Sequence, residues 1–487
     1  MLFNSAQFLL LFLPVVLVGC RLLRPTGSRM LVAFLAIASL AFYGSWSIRF
    51  LPLLLGSTAF NYVIGRRILA ASCQRTRRLW LSGGITVDLV LLGVFKYSGF
   101  VLSMVPDFPG KPVHSSIILP LGISFFTFTQ IAFLVDAAAG RVDSLSPINY
   151  GLFVSYFPHL VAGPILHHRE MMPQFETMAR RRPVSWPLLQ VGVSIFLIGL
   201  FKKTFVADQL APMVAKVFDG SGPIGALSAW TGVLSYTLQI YYDFSGYSDM
   251  ACGLSWMLGV RLPINFNSPY KCTSIIDFWR CWHMTLSAFL RDYLYIPLGG
   301  GRRGTVRRYV NLMVTMLLGG LWHGAGWTFV IWGSLHGAYL MLNHGWRSMA
   351  CRTTVRLPAP VAAFLGWMLT FAAVMLGWIF FRASGVQAAG RILGAMAGLD
   401  PGQRLFGAYD IMRVSCFLAA ALALPSVADL FGPSDALLVP AGALRHASLF
   451  RPVPWRPSYG WGMAIGLAGG LGLLATGGTT EFLYFRF

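Results

Sequence analysis

Apolar stretches of spanning length recur along this chain, and they constrain its fold more than any motif does. They cover residues 5–20, 30–47, 50–64, 79–105, 187–208, 226–258, 360–381 and 457–475. Each matches or approaches the ~20 residues that a helix needs to cross the ~30 Å hydrocarbon core of a bilayer. That core offers no water to unpaired backbone groups, so such stretches cross it as helices. With Ile117–Asp136, Tyr150–His167, Tyr309–Asn343 and Ile411–Phe431 added, about 10–12 membrane helices are expected, some of them re-entrant or interfacial. Only 11% of the residues are charged, against about 25% in ordinary soluble domains, which excludes a water-soluble fold. The expected class is therefore an all-α polytopic membrane protein, with residues 1–487 forming one integral-membrane domain.

The formal net charge is +21, most of it from arginine. In a soluble protein such an excess points to nucleic acid. Here the basic residues gather between apolar stretches, at Arg21/Arg24/Arg29, Arg66/Arg67/Arg75/Arg77/Arg78, Arg180–Arg182 and Arg302/Arg303/Arg307/Arg308. Such clusters mark cytoplasmic loops, so no nucleic-acid partner is expected, only membrane lipid. Placing Met1 outside puts loop 21–29 in, 48–50 out, 66–78 in and 106–116 out. Beyond that, Arg180–Arg182 fall inside only if either 117–136 or 150–167 fails to cross completely. The first stretch has no basic residue before Cys20 and no small-residue cleavage site, and reads as a retained helix rather than a signal peptide. The seven cysteines (20, 73, 252, 272, 281, 351 and 416) form no CxxC pair, so neither a disulfide framework nor a metal site is expected.

The outer parts, 1–105 and 360–487, are simple Leu/Ala/Gly/Phe-rich spans that suit peripheral, lipid-facing helices. The middle, 117–345, carries almost all the His, Asp and Asn found within or beside apolar sequence. Ionisable groups at membrane depth are costly and default to a functional reading. The middle is thus the expected catalytic core.

Two segments there stand out. In SIIDFWRCWHMTLSAFLRDYLYIPLGG (274–300), Ser274 and Asp277 have capping-box spacing. Asp277, Arg280, His283, Ser287 and Arg291 follow at helical spacing, so as one helix they share a stripe. The stripe suits either an interfacial helix lying flat or the wall of a hydrated cavity. In the second segment, Tyr309–Asn343, 35 mostly apolar residues would extend ~52 Å as one helix, more than the core admits. Gly319, Gly320, Gly324 and Gly326 place a break around His323, ~22 Å in from Arg308. Irregular backbone at that depth is tolerated only where it lines an enclosed cavity. The alternative is that Gly320-xxx-Gly324 merely lets two helices approach.

Lesser features are structural or weak. Asp243 and Asp249 in YYDFSGYSDMACGL (241–254) lie about 240° apart around a helix, so they form no acid/base pair and instead make local polar clusters with Tyr247, Tyr242 and Ser245. His159 in FPHLVAGPI and Asn265 in NFNSPY lie in irregular turns and are weaker site candidates. GGGRRG (299–304) could hold phosphates, though as a bare motif it says little. There is no P-loop, dinucleotide-binding glycine pattern or HExxH.

FWRCWHMTLSAFLRDYLYIPLGG (278–300), followed 40 residues after its histidine by GGLWHGAGW (319–327), resembles the membrane-bound O-acyltransferase (MBOAT) family, closest to its alginate O-acetyltransferase branch. LPLGISFFTFTQIAFLVD, YFPHLVAGPI, YYDFSGYSDMA, INFNSPY and EFLYFRF are similar to that branch too, so the likeness covers most of the chain. The resemblance implies a ring of membrane helices around a central pore. It makes His323 the catalytic histidine and His283 the second, His/Asn, position. Cys281 and Ala288 stand where related sequences often show Arg, which is a departure from the pattern.

A buried imidazole could take a proton from a hydroxyl attacking a thioester or accept the acyl group itself. Trp322 and Trp327 would wall the site, and His283, Arg280, Asp277, Ser287, Arg291 and Asn265 would bind or orient the substrates. No tightly bound cofactor is expected. The donor would be acetyl-CoA, and the setting a bacterial inner membrane with a periplasmic N-terminus. The partners would be a periplasmic SGNH-type acetyltransferase and an exported polysaccharide. Within the family, D-alanyl or other acyl transfer to an envelope glycan is the alternative. A transporter or export channel also carries intramembrane His, Asp and Arg, but predicts inverted repeats that the sequence does not show.

Overall fold

The computed structural model describes residues 1–104, 118–143, 145–178, 180, 185–350, 357–399, 401–432, 437–439, 453–477 and 482–483. The expected loop 106–116, Arg181, Arg182, Cys351 and most of the terminal EFLYFRF lie outside these residues. Among the described residues every named element is a helix, and the only β-type pairings are two isolated bridges. Phe8–Thr26, Ser28–Trp46, Ile48–Ala70, Gln74–Lys96, Trp186–Phe218 and Ala359–Arg382 are long and apolar enough to cross a membrane, and Ile123–Ala138 and Tyr459–Leu474 are shorter apolar helices. The protein is an all-α, multi-pass membrane protein.

Two expected spans are broken. Tyr150–His167 is a nine-residue helix, Pro147–Ser155, then one short turn, Phe157–Leu160, and then irregular backbone. Nine residues rise only ~14 Å, so of the two candidates this is the one that does not span as a helix. Pro158 and Pro164 lack the amide hydrogens that would carry a helix on. Likewise Ile411–Phe431 divides into Ala408–Ala423 and Val427–Phe431, with Pro425 between them.

The chain forms two compact units. The first comprises residues 1–197, 248–263 and 436–438, the second 198–247, 264–435 and 439–487. In the first, polar side chains inside apolar helices satisfy one another. Asn61 Nδ2 donates to Asp88 Oδ1 at 2.7 Å and Gln130 Nε2 to Ser57 Oγ at 2.9 Å. His159, a site candidate in the sequence, has its Nε2 2.9 Å from the Phe153 carbonyl oxygen and is fully enclosed. That is a structural bond.

The second unit contains a tight helical hairpin. The helix Thr305–His323 stops at His323, Gly324 is extended, and a new helix, Trp327–Ala350, packs back along the first. The break therefore falls where length and glycine content put it. The close-approach reading holds as well. A Cβ on Gly320 would run into the Phe329 carbonyl oxygen and come within 3.2 Å of Gly333 Cα, and one on Gly333 would lie 2.5 Å from the Met316 carbonyl oxygen. Both obstacles are backbone, which cannot rotate away. Gly320→Ala is accordingly expected to destabilise the hairpin by about 1–3 kcal/mol, read as a lower melting temperature in detergent; an unchanged melting temperature contradicts the packing described.

A second buried polar group sits where the long Trp186–Phe218 helix widens into a π-turn at Phe201–Ala207. Lys203, 1% exposed, places Nζ 2.5 Å from Asp243 Oδ1 and 2.8 Å from Asp208 Oδ1. The other Asp243 oxygen accepts the Leu483 backbone N–H at 3.2 Å. Asp243 thus pairs with a lysine 40 residues away, not with Tyr247 as its own helix suggested. Tyr247 packs its ring against Phe482.

Candidate active site

His323 ends its helix because Gly324 leaves the helical region, and that places the imidazole at the turn of the hairpin. The ring is buried against three aromatic neighbours: Trp322 at 4.8 Å, Phe381 at 5.0 Å and Trp332 at 5.1 Å, all edge-to-face. It ends the Thr305–His323 helix, whose other end carries Arg302, Arg303, Arg307 and Arg308; Arg308 lies about 22 Å away at 1.5 Å per residue.

His283 reaches the same place by a different device. The expected single striped helix is broken: Ile275–Cys281 ends at Trp282, and His283, at φ +41°, starts Met284–Leu290. Ser268 and His283 are the two non-glycine residues with positive φ among the described residues. Each such residue costs of order 1 kcal/mol and is kept only where its surroundings over-determine it. Here two backbone bonds clamp the turn, Asn267 N–H to the Cys281 carbonyl and Met284 N–H to the Asn265 carbonyl, both 3.0 Å.

The side chain of Asn265 then orients the imidazole. Its Oδ1 accepts from the Thr285 N–H at 3.2 Å and the Thr285 hydroxyl at 2.9 Å. A backbone N–H can only donate, so the amide oxygen must face it. His283 Nδ1 lies 3.1 Å from that same oxygen and must therefore carry the proton. In the neutral ring Nε2 is then the basic nitrogen. Phe244 packs edge-on against the imidazole at 4.7 Å, and Trp322 lies 6.3 Å from it. Trp322 thus touches both histidines.

The structure unites His323, His283, Asn265 and Trp322, four of the residues singled out in the sequence, and disperses the rest. Breaking the helix at His283 destroys the common stripe. Arg280 and Arg291 side chains are 61% and 62% exposed, the first 3.4 Å from Asp277 and the second bonded to Asp292 at 2.7 and 2.9 Å. Asp277 caps its helix with Ser274 and meets Arg347 of the hairpin at 3.4 Å. Ser287 donates to the Trp282 carbonyl. Trp327 opens the second hairpin helix and is 58% exposed, while Trp332, further round that helix, packs against His323. Phe381 and Trp378 come from Ala359–Arg382, a helix expected to be peripheral.

Sequence reasoning also missed His336 and Asn311. His336 follows Trp332 by four residues, a spacing that puts the pair on one helix face. Asn311 donates to the Leu298 and Gly300 carbonyls at 3.3 and 3.0 Å and so ties down the GGGRRG turn, in which Gly299 and Gly300 have positive φ.

Residues 63–386, which contain both histidines, match MBOAT, the membrane-bound O-acyltransferase family. The chain belongs to this family. Among its relatives, the peptidoglycan O-acetyltransferase of Helicobacter pylori is 41% identical over 430 residues, 82% of this chain and 80% of the relative. The "probable alginate O-acetylase" of Azotobacter vinelandii is 44% identical over 403 residues, 81% and 78% of the two chains. The teichoic acid D-alanyltransferase of Bacillus subtilis is 28% identical over 283 residues, 56% and 71%. The protein is a membrane-bound O-acyltransferase.

For this O-acyltransferase, Asn265→Leu removes the oxygen that orients His283 and leaves a buried N–H without a partner. Turnover is expected to fall by about 10–100-fold, less than when a base itself is lost. Asn265→Asp, which keeps an acceptor at that position, is expected to lose less. Equal losses in the two variants contradict the orienting role.

Proposed function

We propose that this enzyme is a polysaccharide O-acetyltransferase of a bacterial inner membrane. It takes acetyl from cytosolic acetyl-CoA through a pore toward a periplasmic SGNH-type partner or the exported glycan itself, with Met1 on the periplasmic side. The single observation that carries this reading is the pairing of two buried histidines across Trp322, at the end of a hairpin helix opposite its arginines. Arginine-rich ends stay cytoplasmic and suit the phosphates of a nucleotide thioester. His323 would then meet an acyl group delivered from that side. Its imidazole takes the proton of the attacking hydroxyl, or accepts the acetyl group and hands it on. The two relatives at 41% and 44% identity are named for acetyl transfer to peptidoglycan and alginate, which supports acetyl as the acyl group and a glycan as the final acceptor. D-Alanyl transfer is the second reading, supported by a more distant relative that aligns with 56% of the chain.

A deletion strain complemented with the wild-type gene tests the proposal. Its secreted glycan should regain acetyl groups, while the amount of glycan secreted stays the same with or without the gene. Loss of secretion with acetylation intact overturns it in favour of an export channel. D-Alanine in place of acetyl on the glycan selects the second reading.

A further inference from the structure

The break at His283 separates Asp277 and Arg280 from the histidines, and the fold gives them other company. Asp277 Oδ1 lies 3.4 Å from Arg280 Nη1 and its Oδ2 3.4 Å from Arg347 Nη2, so one carboxylate holds two guanidinium groups. The same Arg347 nitrogen donates to the Ser274 hydroxyl oxygen at 3.0 Å. His344, on the same helix as Arg347, feels the charges of Arg308, Arg347 and Arg280 together. Arginines from Ile275–Cys281, Thr305–His323 and Trp327–Ala350 therefore converge on one place.

Their charge is far from balanced. Residues 264–350 carry seven arginines but only two carboxylates, Asp277 and Asp292. Asp292 is taken by Arg291, and Asp277 is divided between two partners. Among the described residues Arg302, Arg303, Arg307 and Arg308 make no ion pair, and the buried Nε of Arg308 has no hydrogen-bonding partner. Like charges gathered this way repel until an anion joins them. The Arg280 and Arg347 side chains are 61% and 48% exposed, which leaves the cluster open to such an anion. A guanidinium fork matches phosphate oxygens two at a time, so a ligand with several phosphates fits best.

The distance to His323 selects among such ligands. Between Arg308 and His323 the helix is continuous and rises about 22 Å. In a coenzyme A thioester about 13 bonds separate the diphosphate from the sulfur, and at the roughly 1.2 Å per bond of an extended polypeptide they reach ~16 Å. The two lengths agree to within the reach of an arginine side chain. Inorganic phosphate or a lipid headgroup would answer the charge but bring no acyl group to His323. A carrier protein offers one phosphodiester at that distance, where the nucleotide thioester offers three phosphate groups.

Resting on the reading of acetyl-CoA as the donor, we infer that Arg280, Arg308 and Arg347 anchor its nucleotide phosphates, with the pantetheine arm spanning the hairpin and the thioester beside His323. Asp277 is the positioning residue that sets Arg280 and Arg347 side by side. The donor is thus recognised at its phosphorylated end, as a free nucleotide thioester.

The test is equilibrium binding of radiolabelled acetyl-CoA to the full-length enzyme in phosphatidylcholine vesicles, which carry no competing anionic headgroup. Arg280→Gln, Arg308→Gln and Arg347→Gln should each raise the Kd at least about 10-fold, the loss of one hydrogen bond to a charged group. The Kd for S-acetylpantetheine, which lacks the nucleotide, should stay near its wild-type value. Added salt should weaken acetyl-CoA binding in the wild type, and adenosine 3′,5′-bisphosphate should displace it where adenosine does not. Melting temperatures in detergent report folding, and where one variant fails to fold the other two decide. Wild-type affinity for acetyl-CoA in the folded variants overturns the inference, and so does a wild-type enzyme that binds S-acetylpantetheine as tightly as acetyl-CoA. Variants that keep acetyl-CoA affinity but lose phosphatidylglycerol that copurifies with the wild type assign the arginines to a lipid headgroup. Variants that lose affinity only for an acetylated carrier protein assign them to that donor, and either result also overturns the inference. A wild-type enzyme that binds no acetyl-CoA removes the donor reading as a whole, a failure seen without any variant.

Discussion

Replacing His323 with alanine is expected to lower acyl transfer by about 10²–10⁴-fold, the range a positioned general base contributes, while the protein still accumulates in the membrane. The ring meets Trp322, Trp332 and Phe381, and none of these three can accept a proton in its place. The folding cost of the change is that of a cavity among aromatic rings, and the hairpin is closed by glycine contacts elsewhere along it. Activity should therefore fall much further than yield. An acetyl-content assay of the glycan, run beside a quantitative immunoblot, measures both. Wild-type acetyl content in the variant would rule out His323 as the reacting histidine. The base and acyl-carrier roles separate in the absence of acceptor, since only a carrier retains label from radioactive donor on the protein.

The second large effect concerns folding. Lys203→Met is expected to destabilise the protein by about 3–5 kcal/mol, because it strands two buried carboxylates that share one ammonium group. The loss should appear as a collapsed yield or a much lower melting temperature in detergent. Adding Asp243→Leu to Lys203→Met should recover part of the stability, since an apolar pair of similar size costs less than an orphaned charge. The recovery should be incomplete, because Asp208 remains and the Leu483 amide loses its acceptor. A Lys203→Met protein as stable as the wild type would show that the carboxylates find other partners.

Much of the fold was legible because its governing signals are local. Spanning helices announce themselves by length and apolarity. The break at His323 followed from a run too long for the bilayer and rich in glycine. The helix cap at Ser274 followed from spacing, and there the Asp277 N–H does bond the serine oxygen at 3.2 Å. The site was legible only where a residue was improbable in its surroundings, as two histidines in apolar sequence are. What stayed hidden was set by distant partners. Periodicity carried one helix straight through residues 277–291, because His283 is a tolerable helix former. The turn there is held from outside, by Asn265 and Asn267. Lys203 carried no signal of its own in the sequence, because its partner Asp243 lies 40 residues on and only the fold puts the two together. Trp378 and Phe381 belong to a helix whose composition suggests only contact with lipid, and no local pattern says that its inner face closes on a histidine.

The left-handed turn at His283 bears on which sequences can perform this role at all. At φ +41° the backbone selects before chemistry does. Glycine adopts that region freely, asparagine, aspartate and histidine do so several-fold more readily than other side chains, and β-branched residues are effectively excluded. Of the residues admitted, only histidine and asparagine offer an uncharged donor to the oxygen of Asn265. An alternation between these two at this position is thus what the turn itself permits, and an evolutionary lineage could exchange one for the other without rebuilding the loop. A valine or isoleucine there, however similar the flanking sequence, would mark a descendant in which this arrangement has been given up.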